Sequence, residues 1–149
     1  ANHITWSQSM SFREKLYWGR LFVIVLCWGY YFVSFGLAVQ GAALDVPAYQ
    51  ALFFKMGMLS VFLSLGVAAT LAAYDRKSAP RTEDERDRAI EQHSVRISYY
   101  ILIAGCFLVM ALLFTGFDVF MTFNVLLAVV VIAELIRASL NLVGYRRGY

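Results

Sequence analysis

In the stretch AELIRASL, Glu134 and Arg137 stand three residues apart inside an otherwise apolar run, with Asn124 before them, Asn141 after them, and Lys55 in a separate apolar run upstream. A carboxylate and a guanidinium at this spacing share a helix face. An ionisable group placed at the centre of a bilayer costs about 2.5–3.5 kcal/mol on insertion scales, so such groups usually face protein or water. They mark either a site that handles ions or protons, or a polar lock between helices. In the structural reading Arg137 neutralises Glu134, Arg137 and Lys55 extend towards the interfaces, and Asp45 or Asp118 lies within reach of Lys55. Lys55, Asn124, Glu134, Arg137 and Asn141 make up the candidate intramembrane polar site. A small transporter or ion channel using Glu134, Arg137 and Lys55 is the activity that set would serve.

Charge is concentrated a second time in RTEDERDRAIEQHSVRISYY, residues 81–100. Thr82 followed by Glu85 has the form of a capping box, and Glu83 and Asp84 suit the positive end of a new helix. No Gly or Pro interrupts the pattern from Thr82 to Gly105. One helix is therefore expected to start in water and run on into the apolar stretch that follows. Its charged turns form a stalk, and Glu85, Arg86, Arg88, Glu91, His93 and Arg96 are the candidate surface for a protein partner or for acidic lipid headgroups.

Catalytic and cofactor patterns are missing from the sequence. His3 and His93 are the two histidines, neither inside an apolar run, so no pair suits a haem. Cys27 and Cys106 are isolated, without metal or redox spacing, and read as packing residues. Nucleophile-elbow, phosphate-loop, HExxH and EF-hand spacings are lacking. No catalytic residue, cofactor or metal is expected, and a non-enzymatic role is favoured.

The elements that position these residues follow from composition. Of 149 residues, 60% are hydrophobic and 15% charged, more apolar surface than one soluble domain of this size hides. Four windows suit a hydrocarbon layer about 30 Å thick crossed at about 1.5 Å per residue: 17–40, 48–74, a third reached through the stalk within 82–117, and 119–143. Lacking strand alternation, they read as helices. The expected fold is one all-α transmembrane domain over 1–149, four helices in an antiparallel bundle with the third extended into the cytosol. The first window is too long and aromatic for a cleaved signal peptide.

Basic residues fix an orientation. Arg13, Lys15 and Arg20 flank the first window; Arg76, Lys77, Arg81, Arg86, Arg88 and Arg96 lie between the second and third; Arg137, Arg146 and Arg147 lie at or beyond the end of the fourth. GAALDVPA and the turn at Gly116–Asp118 have no Lys or Arg. By the positive-inside rule both termini and the central connection are cytoplasmic. Ser60, Ser64, Ala68 and Ala72 recur every fourth residue, and Gly29 and Gly36 lie seven apart, both patterns that favour close helix approach. Expected partners are membrane lipids, a second copy in a homodimer, and a cytosolic or membrane protein, without direct nucleic-acid binding.

The segment DERDRAIEQHSVRISYYIL resembles a signature of small bacterial four-helix inner-membrane proteins of unknown function. The matching residues are Asp84, Glu85, Arg86, Asp87, Arg88, Ile90, Glu91, Arg96, Ile97, Tyr99 and Tyr100. The resemblance implies architecture and inner-membrane location, and, through the helix-turn-helix regulators often encoded beside such proteins, a regulatory partner. An accessory, regulatory or interaction subunit is accordingly the expected function.

Overall fold

The computed structural model describes residues 12–42, 44–74 and 85–147, without the side chains of Arg86 and Arg147. It contains four helices, α1 (Phe12–Gln40), α2 (Val46–Tyr74), α3 (Glu85–Phe114) and α4 (Val119–Arg147). Each is long and apolar enough to cross a membrane. Among the described residues the chain is all-α. The expected capping box at Thr82 and the helix start there lie outside the described residues.

Helix boundaries depart from the apolar windows where polar residues find partners. α1 begins five residues before Tyr17, because Arg13 pairs with Asp87 on α3 at 3.4 Å and Glu14 accepts from Arg146 on α4 at 3.4 Å. α4 continues past Val143, where Tyr145 packs on Tyr17 with ring centroids 6.0 Å apart and the Arg146 guanidinium lies 5.6 Å from the Trp18 ring centroid. α3 stops at Phe114 rather than Phe117: the Thr115 and Gly116 N–H groups bond back to Leu112 and Leu113, and Gly116 takes φ +74°, which only glycine adopts without strain. Asp118 then caps α4 by accepting from the Met121 N–H at 2.9 Å, and Asp45 caps α2 by accepting from the Ala48 N–H at 3.4 Å.

The helices pack as a row. α3 lies against α4, α4 against α1, and α1 against α2, and no other pair packs to a comparable extent. Small residues set the closest approaches. A Cβ added to Gly105 would collide with Val129, one on Gly144 would meet Ile90 at 2.6 Å, and one on Gly19 would meet Val67 at 2.5 Å. Gly29 and Gly36, the glycines expected to serve this way, face open space. Ile24, Tyr31, Met56, Leu127 and Val131 form the buried centre where α1, α2 and α4 meet. Aromatic rings thicken it: Tyr31 stacks on Phe35, Trp28 packs on Phe53, and Phe53 packs edge-on to Phe123. α2 contributes only Met56 to the buried set and turns Phe54, Phe62 and Leu65 outward.

Candidate functional site

The starts of α1 and α3 meet the end of α4, and there the ionisable side chains join in a chain. Arg20 on α1 donates to Glu134 on α4 at 2.7 Å. Arg137, one turn along α4, lies 3.9 Å from the other Glu134 oxygen and donates to Glu91 on α3 at 3.2 Å. Two cations and two anions therefore alternate across three helices with no net charge. The intrahelical Glu134–Arg137 pair expected from the spacing is present but is the longest link. The shorter ones run to Arg20 and Glu91. All four side chains keep contact with the surface, Arg20 at 42% and Glu134 at 37% exposure, and ion pairs this open contribute little where water reaches them.

The two asparagines are buried and bonded. Asn124 accepts from the Tyr31 hydroxyl at 2.8 Å while its own amide donates to the Phe120 carbonyl at 2.9 Å. Asn141, fully buried, meets Ser94 at 2.9 Å, and Ser94 also lies 2.9 Å from the Glu91 carbonyl. A serine hydroxyl has a single proton. It is shared between the Glu91 carbonyl and Asn141 Oδ1, which accepts from it, and the Asn141 Nδ2 group is buried without a partner among the described residues. Asn124 thus ties α4 to α1, and Asn141 ties α4 to α3.

Lys55 is exposed on α2 and belongs to neither arrangement. Asp45 and Asp118, the anions expected near it, serve as helix caps, and among the described residues no ion pair involves Lys55. The stalk residues divide by side. Asp87, Ile90, Glu91 and Ser94 face α1 and α4, while Glu85, Arg88, His93 and Arg96 are exposed. Arg88, Gln92 and Arg96 follow one another along a single stripe with Val95 and Tyr99 beside them. Cys27 is buried and Cys106 exposed, both with free thiols.

Between α1, α2 and α4 runs a groove of about 450 Å³ that no sequence pattern announced. Arg20 and Glu134 lie one turn in from Leu16 at one end, Ile24, Trp28, Leu127 and Val131 continue it, and Ser60, Ser64 and Ala68 form part of the α2 wall. The small-residue ladder therefore lines an opening here. Among the described residues no group of three His, Cys, Asp or Glu side chains is placed to hold a metal. Comparison with protein-family models, curated proteins and solved structures finds no match to this chain.

Proposed function

We propose that the chain is a multi-pass protein of a bacterial inner membrane that performs no chemistry of its own and acts as an accessory, regulatory or interaction subunit, with the outward face of α3's first turns as its handle. The helices alternate in direction across the bilayer, both termini and the α2–α3 connection lie in the cytoplasm, and α3 extends beyond the lipid. Support for the topology comes from the distribution of Lys and Arg and from the outward-facing Phe, Leu and Val side chains on the apolar helices, which water would not tolerate at this density.

The observation that carries the interaction role is the division of the stalk. Its inward residues are consumed in holding α1 and α4, whereas Arg88, His93 and Arg96 are exposed and join no ion pair among the described residues. A partner with an acidic surface fits that stripe. A transporter or channel built on Glu134, Arg137 and Lys55 is supported less, because Lys55 is separate from the other two and each of those is already paired. The test is crosslinking in native membranes followed by mass spectrometry of the joined proteins. With Arg88 and Arg96 both replaced by Glu, the dominant crosslinked partner should disappear while the protein stays at wild-type level in the membrane; an unchanged partner set defeats the proposal.

A further inference from the structure

We infer that the groove between α1, α2 and α4 holds a phospholipid whose headgroup is a zwitterion ending in a primary ammonium, with its phosphate on Arg20 and its ammonium on Glu134. This rests on the membrane placement proposed above.

The groove is amphipathic along its length. On α1, Ile24 and Trp28 lie one and two turns beyond Arg20, and on α4, Val131 and Leu127 lie one and two turns beyond Glu134 in the same direction. From Arg20 to Trp28 the wall runs about 12 Å. The polar pair, one turn inside Leu16 at the mouth, thus opens into an apolar trough, the order in which a lipid presents head and chain. Ser64 stands on the opposite wall near the level of Arg20, since Gly19 beside Arg20 meets Val67, one turn from Ser64.

Charge selects the headgroup. Glu134 and Arg20 bring one negative and one positive group to the same place, joined at 2.7 Å and each more than a third exposed, with Arg137 at a looser 3.9 Å from the other Glu134 oxygen. Arg20 keeps N–H donors for phosphate oxygens, with the Ser64 hydroxyl as a second donor. Glu134 keeps acceptor lone pairs for an N–H donor. A glycerol headgroup offers the same phosphate to Arg20 and neutral hydroxyl donors to Glu134, so it brings no positive charge to balance the carboxylate. A quaternary ammonium has no N–H to offer. A head that presents a phosphate and a cationic N–H donor together meets both ends with charge-assisted bonds, and an ion pair left half-open at this depth is otherwise costly.

The test uses full-length protein in nanodiscs containing equal amounts of phosphatidylethanolamine, phosphatidylcholine and phosphatidylglycerol, followed by native mass spectrometry of the lipids retained on release. The ethanolamine lipid should be retained about tenfold over either other lipid, the factor that one charge-assisted hydrogen bond represents. Glu134→Gln should lose the preference for ethanolamine over choline. Ser64→Phe, which fills the groove and leaves both charges, should abolish retention even if Glu134→Gln loosens the fold. Equal retention of the three lipids, preference for the glycerol lipid, or unchanged retention in Ser64→Phe overturns the site while leaving the membrane placement intact. A chain that stays monodisperse without detergent and does not enter nanodiscs overturns the placement itself, and the site with it.

Discussion

Single side chains decide how α1 and α4 recognise each other. Tyr31 is fully buried, yet its hydroxyl is satisfied because Asn124 accepts from it. Tyr31→Phe keeps the ring contacts with Phe35 and Tyr49 and removes only that donor. It should lower stability by about 0.6–1.7 kcal/mol, the range found for hydrogen bonds between membrane helices, read as an earlier thermal transition in detergent. Tyr30→Phe, at an exposed neighbour, should leave the transition unmoved. Asn124 is conspicuous in the sequence because an amide inside an apolar run demands a partner. Its partner is not legible there, since which tyrosine of the Tyr30–Tyr31 pair turns inward depends on how two distant helices are set against each other. Arg20 is obscure for a related reason. A long, flexible cation near a helix start reads as an interfacial marker, and only its depth relative to Glu134 reveals an ion pair.

At the scale of the helix, periodicity predicts which stretches coil but not where they touch. Phe12–Gln40, Val46–Tyr74 and Val119–Arg147 contain their expected windows, whereas α3 ends at Phe114, three residues short of Phe117; the extensions trace to pairs such as Arg13–Asp87 and Tyr17–Tyr145, which carry regular structure past the apolar limits. The contact points are less visible. Gly29 and Gly36 have the spacing of a packing motif, whereas Gly19, Gly105 and Gly144 make the close approaches. A glycine's role depends on the residue across from it, here Val67, Val129 and Ile90, and those lie in other helices. Gly105→Leu should therefore force α3 off Val129 at a cost of about 1–3 kcal/mol, as overpacking does, while Gly29→Leu should be tolerated. Relative thermal stability of the two variants in one detergent checks the contrast. The stalk has the same logic: its charges are evident in the sequence, and the side they face is set by Glu91 reaching Arg137.

For the whole molecule, composition carries most of the information. Sixty per cent hydrophobic residues and four uncharged or nearly uncharged windows leave little alternative to four long apolar helices. Their arrangement as a row, α2–α1–α4–α3, is not encoded in any window, because α2 and α3 follow each other in the chain and yet occupy opposite ends. The groove is a product of that row: α1 is shared between α2 and α4, and the gap left on one side is what Ser60, Ser64 and Ala68 line.

The same row divides the molecule into two helix pairs. α1 with α2 and α3 with α4 are each neighbours in sequence and in space, and what fastens one pair to the other among the described residues is side-chain work between α1 and α4, chiefly Tyr31 with Asn124 and Arg20 with Glu134, joined by Arg13–Asp87 from α1 to α3. With the membrane placement proposed above, two separately translated halves, divided between α2 and α3 and produced in the same cell, should find each other and co-purify through a tag on either one. Glu134→Arg in the second half should prevent that reunion, and Arg20→Glu in the first should restore it.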